Sequence, residues 1–528
     1  MENIMAHKFI CTTTEPVIET KKGKIRGYIM DGIYTFHGIK YADAKRFQMP
    51  VEVKSWEGVK DALSYGEVCP MYNPETTKGE IMVPHRYWVK SEDCQYLNVW
   101  SPCADPGAKK AVLVWLHGGG FSDGSSIEQV CYDGTNLAMH HDVVVVTVNH
   151  RLNILGYLNL EDYSEKYKNS GNAGMADIEY ALRWVHENIE NFGGDPENVT
   201  IFGQSGGGMK VSTLLQMPSA DGLFHKAVII SGVKPEGGMM TPNSYDAHPI
   251  IDAMLSELKI SPENIEEIEK VSYEDLSAAY LKVKGPIEAA GGYVGGTPVP
   301  NDYYVGEPEE VGFREHAREI PMVVGSVFGE MSFNPGIPKK HEKTREEQIA
   351  VLRETFGNAT DDIVAKFEAA YPGQNLIDVL SIDCFTRMPA INYVRKKASY
   401  NKAPVYNYLF NYEFPYDDGK VAWHCSDLPF FFNNTDKVMI CNKPGVSDLL
   451  EKRVSSLLTS FAKYGDPNHS GLPRWEPSTQ ENVNTMILDE KCEVRVNFDE
   501  EVIKAVKPFI PNPFLRMKKR NPDDIALH

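Results

Sequence analysis

The run Val199-Thr200-Ile201-Phe202-Gly203-Gln204-Ser205-Gly206-Gly207-Gly208 decides how this chain folds. Its first half is β-branched and aromatic, the composition of a short strand buried on both faces. Its second half sets glycine on both sides of one serine, as Gly203-x-Ser205-x-Gly207. A strand that turns at once into a helix needs residues without a Cβ beside the turn. The residue at the apex is strained, and its side chain is pushed out of the sheet. The stretch is therefore expected to form a strand, a sharp turn and a helix, with the Ser205 hydroxyl presented at the turn. In isolation a glycine-rich turn that happens to hold a serine would read the same way, so the neighbouring chain has to decide.

Working outward, Lys110-Ala111-Val112-Leu113-Val114-Trp115-Leu116 is an apolar strand that runs into His117-Gly118-Gly119-Gly120-Phe121, and Val143 to Asn149 is a second one. Met175 to Asn191 reads as a helix, because Ile178, Ala181, Leu182, Val185 and Ile189 fall on one face at helical spacing. Gly193-Gly194-Asp195-Pro196 ends it and leads into the elbow strand, and a further strand, Lys226 to Ser231, follows the elbow helix. Strand, helix and strand alternating in this way imply an α/β fold with a mostly parallel sheet and helices on both faces. Nearer the start, Val17 to Tyr41 reads as antiparallel strands about an Asp31-Gly32 hairpin turn, and Asp93 to Trp100 as another strand. From about residue 240 to 400 the pattern changes to acidic helical segments and loops rich in proline and glycine. This is expected to be an insertion capping the sheet, within one domain spanning 1–528. Pro321 to Gly325 and Val405 to Phe410 carry the apolar pattern of the remaining strands.

Composition narrows the function classes. The chain has 528 residues and a net charge of −19, and it has no basic stripe of the kind that binds nucleic acid. The Lys518-Lys519-Arg520 cluster reads as a solvated tail. The strongest apolar runs, Ala111 to Leu116 and Val143 to Val148, are strand-length and too short to span a bilayer, so no membrane partner is expected. Met1 to Lys8 lacks a basic segment followed by an apolar one, so no signal peptide is read there. Nine cysteines lie scattered without metal-ligand spacing, which fits free thiols in a reducing compartment and implies a cytoplasmic location. Oligomeric state is left open.

A serine hydroxyl is a poor nucleophile until a base takes its proton, and the oxyanion it generates needs preorganised donors. The glycines that follow His117 let the main chain approach a substrate oxygen, so Gly119 and Gly120 are candidate oxyanion-hole donors, with the N–H of Gly206 as a third. Two glycine loops in this order, each after an apolar strand, are far more specific than either alone.

With these residues in view, the chain resembles a type B carboxylesterase of the cholinesterase-like branch of the α/β-hydrolases. The resemblance covers nearly the whole length. It is carried by Phe36 to Ala42, Ser91 to Val99, His117 to Phe121, Val146 to Leu152, Gly171 to Asp177, Phe192 to Pro196, the elbow, and Phe461 to Pro467. It implies a catalytic triad of Ser, Glu and His in chain order, which falls on Ser205, Glu330 and His424. His424 lies in Trp423-His424-Cys425-Ser426-Asp427-Leu428-Pro429, and Glu330 in Gly329-Glu330-Met331. Asp427 is a rival for the acid. The resemblance also implies two buried ion pairs, Arg46 with Glu92 and Arg151 with Asp177. Cys69 and Cys94 fall where secreted relatives place a disulfide, and here they are expected to lie close together without being obligatorily bonded.

Several positions depart from the family pattern. Gln204 stands where glutamate is usual, which removes a buried negative charge beside the site. Gly206 stands where alanine is common, so a more adaptable oxyanion loop is expected. The acidic-Glu-Gly run is replaced around Glu330. The implied reaction is hydrolysis of a small-molecule carboxylic ester through an acyl-enzyme on Ser205, with no metal or organic cofactor. The alternatives are a non-catalytic binding or scaffold protein of the same fold, which would have lost the serine or histidine, and an amidase or lactonase using the same triad.

Overall fold

The computed structural model describes residues 7–72, 81–236, 242–334 and 336–513, so the Lys518-Lys519-Arg520 cluster and Met1 to Ala6 lie outside the described residues. Twelve strands form the main sheet. In chain order they are β1 (Phe9–Ile10), β2 (Tyr28–Met30), β3 (Ile33–Lys40), β4 (Tyr96–Ser101), β5 (Lys110–Leu116), β6 (Val144–Val148), β7 (Gly194–Gln204), β8 (Lys226–Ile230), β9 (Met322–Val327), β10 (Val405–Phe410), β11 (Asn484–Leu488) and β12 (Glu493–Val496). Their order across the sheet is β1-β2-β3-β4-β6-β5-β7-β8-β9-β10-β11-β12. From β6 through β11 every neighbouring pair is parallel. The strands at both edges are antiparallel.

The expected Asp31-Gly32 hairpin is present. Both residues take positive φ, 49° and 87°, the geometry of a tight turn whose twist matches its strands. Val17–Glu19 and Lys24–Arg26 also pair antiparallel, but they belong to a separate three-stranded sheet with Val59–Asp61.

The central strands are buried on both faces, and their side chains alternate between two cores. Val112, Val114, Leu116 and Ile201 enter one core, where α1 (Ala173–Asn188) packs Met175, Ile178, Ala181, Leu182 and Val185 and α2 (Gly206–Leu215) packs Val211 and Leu214. Leu113, Trp115 and Phe202 enter the other, against Leu450, Val454, Leu457 and Phe461 of the helix Ser447–Tyr464. The period of two in the strands and the period near four in the helices thus meet on each side of the sheet.

The stretch from 240 to 400 contains a sheet strand, because β9 threads through it. Helices on either side of β9 therefore form two separate packed groups. The first, including His248–Leu258 and Tyr273–Ala289, packs Ile251, Met254, Leu276 and Tyr280 around Phe47 and Tyr167. The second, including Arg345–Phe356 and Thr360–Ala370, packs Leu352, Phe356, Ile363 and Phe367 with Val502 and Ile503. Among the described residues no helix is long and apolar enough to cross a membrane.

Candidate active site

The elbow forms as its spacing requires. Ser205 sits between β7 and α2 with φ 55° and ψ −125°, a backbone region that costs a non-glycine residue about 1–3 kcal/mol. The strain persists because the turn is wedged on both sides. A Cβ on Gly207 would lie 1.9 Å from the Leu116 carbonyl oxygen, and one on Gly203 would lie 2.4 Å from the Gly207 backbone. The Ser205 N–H donates to the Ile230 carbonyl at 2.9 Å, and its own carbonyl starts α2 by accepting from Met209 at 3.0 Å. The strand before, the strand beside and the helix after all fix the serine.

Glu330 and His424 arrive from the next strands of the sheet. Glu330 lies just past β9 and is 1% exposed. Its Oε1 accepts from the Val327 N–H at 3.0 Å, its Oε2 lies 2.6 Å from His424 Nδ1, and its carbonyl accepts from the His424 N–H at 3.0 Å. One residue therefore holds the histidine by ring and by backbone. Burial disfavours the imidazolium, but the hydrogen bond and charge of Glu330, with Asp427 and Asp383 behind it, outweigh burial and raise the His424 pKa above the usual value.

The rival carboxylate is engaged elsewhere. Asp427 Oδ2 accepts from the Tyr408 hydroxyl at 3.0 Å, and its Oδ1 is buried without a hydrogen bond. Burial, and then the Glu330 charge, push its pKa up to about 7. Asp383 accepts from the backbone N–H groups of Phe385, Thr386 and Arg387, and burial followed by the Glu330 charge lifts it to about 7 as well.

The far side of the His424 ring meets Gln204. The two Nε2 atoms lie 3.0 Å apart, and the Gln204 Oε1 accepts from the Cys425 thiol at 3.4 Å. With the Nδ1 proton directed at Glu330, the neutral ring has only a lone pair at Nε2, so the amide donates its N–H there. Among the described residues the Ser205 hydroxyl makes no hydrogen bond to a side chain, and it is half-buried at the site.

The glycine loop that follows His117 lies directly on the elbow. Gly119 and Gly120 take φ of 82° and 62°, and Asp123 N–H closes the turn onto the Gly119 carbonyl at 2.9 Å. A Cβ on Gly206 would lie 2.1 Å from the Gly120 oxygen and 2.4 Å from its nitrogen. Glycine at 206 therefore accompanies a close approach of the two backbones. The adaptable loop expected there is instead a tightly seated one.

Both ion pairs form, to different depths. Arg151 and Asp177 are buried and doubly bonded, at 2.8 and 2.7 Å, and Arg151 also donates to the carbonyls of Lys45 and Gln48. Arg46 and Glu92 are also doubly bonded, and Arg46 reaches the Ile268 and Val271 carbonyls, but the Glu92 side chain is 33% exposed. The expectation that both pairs are buried holds for Arg151 with Asp177, while Glu92 sits where the loop meets water. Cys69 and Cys94 are buried free thiols in one small cluster.

Sequence reading passed over Lys210, which is completely buried under the oxyanion loop. Its signal was present: the one charged residue of the helix Gly206–Leu215, directly after the elbow.

A model of the carboxylesterase family matches residues 14–505. The solved structure of an esterase from the anaerobe Clostridium hathewayi, which can hydrolyze aliphatic aromatic polyesters, is 50% identical and superposes with a TM-score of 0.92. The match covers 96% of this chain and 100% of that one. Para-nitrobenzyl esterase of Bacillus subtilis (strain 168) is 33% identical over 508 residues, covering 94% of this chain and 99% of the relative. Human carboxylesterase 3 is 29% identical over 515 residues, covering 88% and 86%.

Proposed function

The chain belongs to the carboxylesterase family and is a carboxylic ester hydrolase, and from that premise we propose that Ser205, His424 and Glu330 carry the reaction through an acyl-enzyme. The observation that carries the reading is the 2.6 Å contact of Glu330 with His424 Nδ1, made beside a serine held at φ 55°. Ser205 Oγ attacks the ester carbonyl carbon while its proton passes to His424 Nε2. Glu330 keeps the other nitrogen protonated and stabilises the imidazolium. The oxyanion is met by the N–H groups of Gly119, Gly120 and Gly206, which need no reorganisation because the loop is already seated. The imidazolium then gives its proton to the leaving alkoxide. Water, activated by the neutral His424, releases the acid and restores the serine.

Resemblance to the Clostridium enzyme at 50% identity supports aliphatic aromatic polyesters as a substrate class. Free thiols at all nine cysteines accord with a cytoplasmic location.

The test is a panel of nitrophenyl esters of increasing acyl length, matched amides, and a soluble aromatic diester, run on the wild type and Ser205→Ala. The substitution should remove ester hydrolysis by about 10⁴-fold or more. An organophosphate should label Ser205 stoichiometrically, and labelling of another serine would refute the assignment. Faster turnover of amides than of esters would transfer the reading to an amidase.

A further inference from the structure

We propose that Lys210 is a positioning residue of the hydrolysis: its buried ammonium clamps the oxyanion loop to the elbow helix and sets a positive charge behind the oxyanion hole. The inference rests on the reading of Gly119, Gly120 and Gly206 as the oxyanion donors.

Lys210 lies in α2, on the helix that begins at Gly206, and is 0% exposed. Its neighbours Val211, Leu214 and Leu215 are apolar and packed in the core. An aliphatic residue would fill such a position without desolvating a charge, so a lysine there is costly unless its ammonium is used. The ammonium donates to the His117 carbonyl oxygen at 3.0 Å. His117 is the residue from which the glycine loop departs, and Gly119 and Gly120 follow it. One charge-assisted hydrogen bond thus joins the two backbone segments that carry all three donors.

Among the described residues no carboxylate lies within ion-pair distance of this ammonium. The acids facing it are Glu128 and Asp123, half-buried on the segment that continues from the glycine loop, and burial lifts them to about 7 and about 6. The other titratable groups around it are His117 and His150, whose rings stack 4.9 Å apart. Burial, and then the Lys210 charge, hold both imidazoles well below the usual histidine pKa, so both are neutral. The Phe121 ring, 5.9 Å from the ammonium, closes the remaining side. Lys210 is the buried cation here, while Lys284 and Lys90 act on the cluster through Asp123, and a field from a buried, poorly screened charge reaches the adjacent oxyanion more strongly than one in water. Burial pushes the ammonium down to about 7, against the opposing pull of Glu128 and Asp123. The charge is present below that range and lost as pH rises through it.

Steady-state kinetics across pH on Lys210→Met and Lys210→Gln, with Ser205→Ala in parallel, tests the proposal. Lys210→Met should lower kcat by about 10- to 100-fold, less than loss of a direct oxyanion donor, with KM within about twofold. The basic limb of the wild-type kcat profile should vanish. Lys210→Gln keeps a donor without the charge, so it should recover part of the kcat lost in Lys210→Met while the basic limb stays absent. Wild-type kcat and an unchanged pH profile in either folded variant would overturn the proposal. Should Lys210→Met fail to fold, Glu128→Gln serves instead, since it keeps the lysine but removes a charge that favours the ammonium. Its basic limb should move to lower pH, and an unmoved limb overturns the inference. An active Ser205→Ala would instead discard the underlying site, so the two failures are distinguishable.

Discussion

The side-chain amide of Gln204 donates to Nε2 of His424 across 3.0 Å, on the ring nitrogen opposite the one that meets Glu330. The residue before Ser205 thus occupies the nitrogen that takes the serine proton in the proposed reaction. It stabilises the neutral ring, because a donor at Nε2 has no lone pair to offer an imidazolium. In the proposed reaction the imidazole exchanges this amide for the Ser205 hydroxyl.

That contact predicts a pH effect with a definite sign. Gln204→Glu replaces a donor with a carboxylate at hydrogen-bond distance, which favours the imidazolium and raises the His424 pKa. A charge this close shifts a pKa by about 1–3 units, so the acid limb of kcat/KM should move to higher pH by about one unit or more. Comparing the kcat/KM profiles of wild type and variant between pH 5 and 9 checks it, and an unmoved limb would remove Gln204 from any role at the ring.

Glu330 and Asp427 should separate cleanly under conservative substitution. Glu330→Gln keeps the shape but removes the charge that holds the Nδ1–H tautomer, and activity should fall by about 10³–10⁴-fold. Asp427→Asn should change kcat/KM by far less, since its carboxylate faces Tyr408 rather than the ring. The two variants assayed side by side decide the point. Collapse in Asp427→Asn with a normal rate in Glu330→Gln would reverse the assignment.

Gly206→Ala should be harmful here although alanine is common at this position in the family. The added methyl would lie 2.1 Å from the Gly120 oxygen, and a backbone atom has no free rotamer with which to move aside. The loop must shift away from the serine, taking a donor with it. The expected loss in kcat is about 10²-fold, near that of deleting one oxyanion donor, with the fold retained by circular dichroism. An unimpaired Gly206→Ala enzyme would show the loop to be free to move.

The two ion pairs should differ in what they contribute. Asp177→Asn leaves the Arg151 guanidinium buried and uncompensated, and should lower stability by about 3–5 kcal/mol. Glu92→Gln acts on a partner that is one-third exposed and screened by solvent, and should cost about 0–1 kcal/mol. Urea unfolding midpoints of the two variants measure the contrast, and equal losses would contradict the difference in depth.

Most of the architecture was legible in the sequence, because burial leaves a periodic record. Strands buried on both faces read as continuous apolar runs, which is why Lys110–Leu116 and Lys226–Ile230 could be bounded closely, and α1 announced itself through Ile178, Ala181, Leu182 and Val185. The elbow was legible because its geometry admits little besides glycine on either side of Ser205. Glu330 was weaker. No periodicity marks a carboxylate, and its position came from resemblance alone.

By itself, then, the sequence determined an α/β sheet and the strand–turn–helix that carries Ser205. These depend on local sterics and on hydrophobic period, which neighbouring residues encode. The tertiary structure decided that Glu330 rather than Asp427 meets the His424 ring, that Gln204 occupies its other nitrogen, and that Lys210 lies under the oxyanion loop. It also decided that β9 divides the helical stretch from 240 to 400 into two groups. Those are contacts between residues far apart in the chain. Their partners are chosen by how strands order in the sheet and by what each buried polar group must satisfy, and neither leaves a pattern in adjacent residues.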